Sequence, residues 1–317
     1  LTSMLRATAD LDEPELRMAD EGKRQGGGGG ALVPRLSTVS ANALKNPNTR
    51  RSHNMGALQL ITGGTGGLGL VTAEWLARFG STGVVLTSRG GKVSKAAARP
   101  LVANPSTDFH VAACDAAEVA ELRRTVAGLF GSSGPRLRGL WHAAGVLSDG
   151  LLTAMTAASL KRVYSPKAHG GWALQQSVAT SPLDAMVLFS SVAAMMGSAG
   201  QTNYSAANSC LDAMAAGRRA FGQAASSVQW GPWADVGMAA GGGVNARLQA
   251  MGIGLIGIGQ GVAAFRASMQ FRAPSVFSLY VVRWGQFLGM MPEVPNMLAG
   301  LMPKKSAAPV ASGGGGG

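Results

Sequence analysis

Charge is scarce in this sequence, and what there is leans one way. Only 14% of the 317 residues are charged, and 28 Lys and Arg outnumber 16 Asp and Glu, for a formal net charge of +12. The basic residues are scattered, with no run longer than a pair such as Arg50-Arg51, and the 6% of aromatics are not interleaved with them. That pattern argues against a nucleic-acid binder. It leaves a basic surface with basic tails, or a docking face for an acidic partner or a phosphate-bearing ligand. Cysteine is scarcer still. Cys114 and Cys210 stand far apart with no CxxC, so neither a disulfide framework nor a zinc site is expected, no metal is assigned, and a reducing compartment such as the cytoplasm or an organelle interior is expected. Long apolar runs are missing too. The longest weakly charged stretch, Val236 to Phe265, is Gly-rich and broken by Asn245, Arg247 and Gln249, and no basic-then-apolar segment opens the chain, so no membrane span is expected.

Glycine is plentiful. Ten of the 46 glycines lie in two homopolymer runs, Gly26–Gly30 and Gly313–Gly317. Together with a first residue that is Leu, these read as linkers of a fragment of something longer. Residues 1–55 are expected to be a linker and the remnant of a structural subdomain, largely flexible, residues 56–290 one globular domain, and 291–317 a second linker.

The globular part opens on an apolar strand, Ala57 to Thr62, followed by Thr62-Gly63-Gly64-Thr65-Gly66-Gly67-Leu68-Gly69 and an amphipathic helix that ends at Gly80. A glycine turn between a strand and a helix lets backbone approach a pyrophosphate, whose charge the free N–H groups of the helix favour. A P-loop would close on Gly-Lys-Ser/Thr; Leu68-Gly69-Leu70 stands there instead, which disfavours ATP. A second strand, Gly83 to Ser88, ends at Ser88-Arg89, where an NAD site commonly carries an acid; a guanidinium suits a 2′-phosphate and hence NADPH. A third strand ends at Asp115, which either touches an adenine edge or caps the helix expected at Ala116–Phe130. A fourth ends in His142-Ala143-Ala144-Gly145, small residues that let a cofactor lie close. Strand and helix alternate throughout. The expected fold is therefore α/β, a Rossmann-type doubly wound parallel sheet of about seven strands with its ligands at the strands' carboxyl ends.

The chemistry centres on Met186 to Asn208. The apolar run Met186-Val187-Leu188-Phe189 delivers Ser190-Ser191 to a strand end, and a helix brings Tyr204 back beside them. Side chains of strand neighbours alternate, so Ser190 is expected to face away from Ser191. A phenol with its ordinary pKa near 10 needs positive charge nearby before it can exchange protons at neutral pH.

The glycine turn, the His-Ala-Ala-Gly strand end, Ser191 thirteen residues before Tyr204, and Gln229-Trp230-Gly231-Pro232-Trp233 together resemble the short-chain dehydrogenase/reductase superfamily. Within it they look like ketoreductase domains of modular polyketide synthases, over about Ala57 to Leu288. Ordinary superfamily members put Lys four residues after the Tyr; here that residue is Asn208, and the lysines of this stretch are Lys92, Lys95, Lys161 and Lys167. In the polyketide type Lys and Asn are exchanged, and Lys167 stands where that type carries its lysine, with Lys161 as runner-up. The resemblance implies NADPH-dependent reduction of a β-ketoacyl thioester held on an acyl carrier protein domain, beside other polyketide synthase domains. It implies Tyr204 as proton donor, Ser191 as hydrogen-bond donor to the carbonyl oxygen, Lys167 as the cation and Asn208 as its orienter. Gly231 and Pro232 would edge the nicotinamide, Asp149 and Trp233 would meet substrate, and residues 234–260 would form a substrate lid. The loop Leu147-Ser148-Asp149, and Met196 where the opposite class carries Trp, favour the B-type product with a D-hydroxyl. Two other readings stay open: a stand-alone reductase of a soluble ketone, and a non-catalytic or epimerase-only scaffold.

Overall fold

The computed structural model describes residues 57–129, 136–179, 181–234, 236, 242–270 and 273–303, with the backbone of residues 4–7. Both polyglycine runs lie outside the described residues. Seven parallel strands form the body of the sheet: β2 (Leu58–Thr62), β3 (Gly83–Ser88), β4 (Asp108–Ala113), β5 (Leu137–His142), β6 (Ala185–Ser191), β7 (Ser226–Trp230) and β8 (Val276–Leu279). An eighth, β1 (Met4–Ala7), pairs with β8 in parallel inside the stretch expected to be a linker. The order is β1-β8-β7-β6-β5-β2-β3-β4. The strand order reverses between β2 and β5, and in an open parallel sheet the ligand crevice lies outside the carboxyl ends at such a point.

Helices cover both faces, as a parallel sheet requires. On one side lie α1 (Gly67–Arg78), α2 (Lys95–Val102) and α9 (Ile258–Ser268); on the other α3 (Val119–Leu129), α4 (Ala157–Tyr164), α5 (Gly170–Ser177) and α7 (Thr202–Ala220). Strand residues alternate between two cores. Ile61, Trp141, Phe189, Val228, Trp230 and Phe277 point to the first side and meet Trp75 and Phe265. Leu60, Leu140, Met186 and Leu188 point to the second and meet Leu122, Leu174 and Leu211. The first core is aromatic, with neighbouring ring centroids of Trp75, Trp141, Phe189, Trp230 and Phe265 between 5.3 and 5.9 Å apart. The second is aliphatic.

A third cluster lies at the carboxyl side of β8. Ile253, Tyr280, Val282 and Trp284 gather there with α6 (Ala193–Met196), α8 (Gly242–Ala250) and α10 (Trp284–Gly289). Its packing continues through Leu298 and Leu301, past Met290, so the residues just beyond 290 are held by apolar burial and do not form the expected linker.

One helical stretch departs from regular α geometry. Between α4 and α5 the regular helical period is interrupted by a π turn over Ser165–His169. Pro166 has no N–H to give, and the wider turn absorbs that loss. The same turn carries Lys167 inward.

Candidate active site

The cofactor half of the site is made from backbone. Gly63 has φ +67° and its Cβ position lies 2.7 Å from Ala144 Cα and N, so only glycine lets the β2–α1 turn back onto the β5 strand end. Gly69 packs against Gly63 and Gly64 in the same way. Gly66 caps α1 without any side-chain bond, the first turn carries no acid, and Gly66 and Gly67 are exposed. This leaves an open helix N-terminus, with Thr65 and Leu68 partly buried beside it. A glycine cradle of this kind fits the pyrophosphate of a dinucleotide. Thr62, by contrast, is wholly buried, and its hydroxyl lies 2.6 Å from His142 Nδ1. His142 Nε2 lies 2.9 Å from the Lys167 carbonyl, which can only accept, so Nε2 carries the proton and the Thr62 hydroxyl donates to Nδ1. Burial holds this imidazole down at about 4, against the pull of its bond to Lys167.

Next along the carboxyl edge lies a cleft of about 410 Å³ lined by Arg89, Ala113, Cys114, Asp115, Glu121, Arg124 and Thr125. Arg89 is exposed, and Ser88 is occupied with closing its own turn, accepting from Gly91 N through Oγ at 3.2 Å. Asp115 Oδ1 accepts from Ala117 N at 3.0 Å. It therefore caps a turn, while α3 itself begins only at Val119, three residues later than expected. Asp115 also lines the cleft. Arg124 carries no signal in the sequence; its place on the cleft side of α3 depends on where that helix starts.

The catalytic half is made from side chains. Ser191 ends β6, partly exposed, and its Oγ accepts from Ala193 N at 3.2 Å. Tyr204 sits in the first turn of α7, 8% exposed. Lys167 is 3% exposed; its Nζ donates to Phe189 O at 2.8 Å and stands 5.2 Å from the centre of the Tyr204 ring. Gly145 makes room for it, since a Cβ there would lie 2.8 Å from Lys167 Cε. Lys161 is exposed on α4, so the runner-up does not reach this interior. Burial pulls the Lys167 ammonium down to about 7, with Asp212 working against it. Burial pushes the Tyr204 phenol up, opposed by the Asn208 and Ser191 side chains, while the charge of Asp149 adds to the rise. Asn208 Nδ2 donates to Tyr204 O at 2.8 Å, and its buried Oδ1 has no partner among the described residues. Ser190 faces the other way from Ser191, donating to Asn208 O at 3.3 Å.

A loop closes over this centre. Asp149 is exposed and accepts from Gln201 Nε2 at 3.0 Å, Asn203 Nδ2 donates to Ser148 O at 2.9 Å, and Gly150 N donates to Gly200 O at 2.8 Å. Gln201 and Asn203, just before Tyr204, carry no signal in the sequence beyond that position. Gly231 N donates to Leu279 O at 2.8 Å, and Pro232 O accepts from Ile256 N at 2.7 Å, so both backbones are tied to the sheet and to the segment after α8. Trp233 corrects an expectation. Its indole is 3% exposed and packed against Trp230, Phe265 and Gly261, so it offers no surface to a substrate. No helix among the described residues is long and apolar enough to cross a membrane.

The described arrangement has counterparts. The family model for the KR domain matches residues 57–235. The chain is 36% identical over 257 residues to a phenolphthiocerol/phthiocerol polyketide synthase of Mycobacterium tuberculosis, covering 80% of this chain and 11% of that protein. It is 42% identical over 182 residues to polyketide synthase GfsB of Streptomyces halstedii, covering 57% of this chain and 3% of the other. The chain thus spans a small part of the length of these curated relatives. Among solved structures it is similar to an A-type ketoreductase from a modular polyketide synthase, with TM-score 0.71 at 34% identity over 77% of this chain and 51% of the other. It is also similar to the ketoreductase from the first module of phoslactomycin biosynthesis in Streptomyces sp. HK803, with TM-score 0.72 at 33% identity over 79% of this chain and 59% of the other. The sheet architecture agrees with these matches, and the chain belongs to the KR family, the ketoreductase domains of polyketide synthases, oxidoreductases that reduce β-keto groups with a nicotinamide cofactor.

Proposed function

We propose that this domain reduces the β-keto group of a β-ketoacyl thioester, delivered on the phosphopantetheine arm of an acyl carrier protein domain, with NADPH as reductant. The observation that carries the proposal is the meeting of three groups at the carboxyl ends of β5 and β6: Ser191, the Tyr204 phenol, and a buried Lys167 within 5.2 Å of the phenol ring. When bound on the glycine cradle, the cofactor supplies hydride to the keto carbon. Tyr204 gives its proton to the carbonyl oxygen as negative charge develops there. Ser191 donates a hydrogen bond to that oxygen. Lys167 stabilises the phenolate that remains, in an interior where little water competes with it. Asn208 fixes the backbone of Tyr204 and keeps an acceptor for Lys167 or a water.

Arg89 supports NADPH over NADH, because its exposed guanidinium lines the cleft beyond the ribose side of the cradle and can pair with a 2′-phosphate. Asp149, held by Gln201, and Met196 in place of a Trp support a B-type, D-configured alcohol. The segment 242–260, packed over α6, supports the lid reading. The test measures cofactor oxidation with a β-ketoacyl thioester and with a simple cyclic ketone, using NADPH and NADH, and determines product configuration. Turnover of the thioester with NADPH to the D-alcohol is expected. Preference for NADH would overturn the cofactor assignment, an L-alcohol the stereochemical one, and no turnover of either ketone despite cofactor binding the reaction itself.

A further inference from the structure

Beneath the catalytic pair lies a charge that the reaction just described does not use. Tyr204, Asn208 and Asp212 are spaced by four along α7, so they form one stripe of that helix. Both oxygens of Asp212 are engaged: Oδ1 accepts from Ser227 Oγ at 2.6 Å and Oδ2 from Gln229 Nε2 at 2.7 Å. Gln229 Oε1 in turn accepts from Ser278 Oγ at 2.6 Å, so the chain of bonds runs from α7 through β7 to β8.

This is an unusual interior for a parallel sheet. Ser190, Ser227, Gln229 and Ser278 are each at most 3% exposed, on a face otherwise filled by Leu60, Leu140 and Leu188. Four polar side chains in place of four apolar ones cost burial energy unless each is paired. Ser227 and Gln229 bond one carboxylate directly, Ser278 reaches it through Gln229, and Ser190 donates to Asn208 O one turn back along α7. Burial pushes the Asp212 carboxyl up, and the Ser227, Gln229 and Ser190 side chains and the Lys167 charge all work against that rise. Short bonds from several donors favour the ionised form, and a carboxylate so held is a fixed negative charge. Lys167 enters from the π turn and donates to Phe189 O at 2.8 Å, next to Ser190, whose register partner on β7 is Gln229, the residue that bonds Asp212. The other titratable groups around this pair are His142 on β5, neutral in its buried bonds, Tyr204 on α7, and Asp149 on the loop after β5. Of all these, Asp212 is the group that holds the Lys167 ammonium up against burial.

We propose that Asp212 is a positioning residue of the ketoreductase site, whose carboxylate, pinned by Ser227 and Gln229, keeps the ammonium of Lys167 protonated beside Tyr204. Asp212 touches neither substrate nor cofactor; it acts through Lys167. A plain structural tie between α7 and β7 would need only a polar pair, and the pinned charge is what distinguishes the two accounts.

The significance for turnover rests on the proposed reduction, so the experiment has one readout that needs no turnover. In the full chain, the Lys167 side chain is titrated by NMR, and the alkaline limb of kcat for thioester reduction is followed over the same pH range. The wild-type midpoints should coincide near about 7. Asp212→Asn should move both down by about one pH unit, the scale of one charge acting across a protein interior. A folded Asp212→Asn protein with an unmoved Lys167 midpoint would overturn the proposal and leave Asp212 a structural tie. Should that variant fail to fold, Asp212→Ser, which removes the same charge with a smaller side chain, carries the same test: the Lys167 midpoint falls, and an unmoved midpoint there is again contradictory. If wild type reduces no β-keto thioester, the reaction proposed above fails, while the NMR midpoints still decide the role of Asp212.

Discussion

The two faces of the sheet are built from different materials. The face under α1 and α9 is aromatic and apolar: Trp75, Trp141, Phe189, Trp230, Trp233 and Phe265 interlock, and their contribution is burial. The face under α7 carries the same strands' alternate residues, yet it accepts His142, Lys167, Ser190, Asn208 and Gln229 in its interior. Both faces bury a core, and the second also takes polar and charged groups into it. Period-2 alternation makes this division possible, because Phe189 and Ser190, or Trp230 and Gln229, are neighbours in the chain and serve opposite sides. A chemically costly site is thereby backed by a core whose packing it does not disturb.

Substitutions on the two faces should separate activity from stability. Tyr204→Phe removes the proton donor with little change in packing; thioester reduction should fall by about 10³-fold with cofactor affinity retained. Phe265→Ala, on the aromatic face, should cost about 3–5 kcal/mol of stability in denaturant titration, with activity per folded molecule kept. Equal losses of activity and stability in both variants would erase the distinction between the faces. Lys167→Met should lower kcat by about 10²-fold and raise the melting temperature at pH below about 7 by roughly a few degrees. The sign follows from linkage: the folded lysine sits near about 7 and the unfolded one near its ordinary value. Folding therefore opposes protonation, at a cost that is full below about 7 and vanishes above the unfolded pKa. Arg89→Ala, at the carboxyl edge shared by both faces, should raise KM for NADPH about tenfold and leave NADH unchanged.

The smallest effect expected concerns His142. Its folded pKa of about 4 lies below the ordinary 6.5, so the unfolded state binds the extra proton first. Stability should be unaffected above about 6.5 and decline as pH falls from there toward about 4. His142→Asn should flatten that decline in a melting-temperature series.

How much of this is readable from sequence also divides by face and by reach. The β2–α1 turn announces itself because glycines at Gly63 and Gly69 answer a backbone requirement that no other residue meets, and the requirement is local. Alternating strands and helices reveal the architecture for a similar reason. Lys167 is legible only through family resemblance, because the π turn that carries it inward breaks the helical period that would otherwise indicate its direction. Trp233 is expected at the substrate and found in the core, because a motif fixes a position in the chain but not where an indole points. Residues just beyond 290 read as a linker from composition, yet Leu298 and Leu301 find apolar partners contributed by segments far back in the sequence. Asp212 is silent for the same reason. Its partners on β7 follow only after the rest of α7 and a turn, and no local pattern marks a carboxylate as the focus of several strands.

The most direct measurement is transfer of deuterium from labelled NADPH to the β-carbon of a ketoacyl thioester, run side by side with the wild-type chain and Tyr204→Phe. Label in the β-hydroxyl product of wild type, and almost none from Tyr204→Phe at the same cofactor occupancy, is the predicted result. Wild-type-like transfer by Tyr204→Phe would contradict the account of the site.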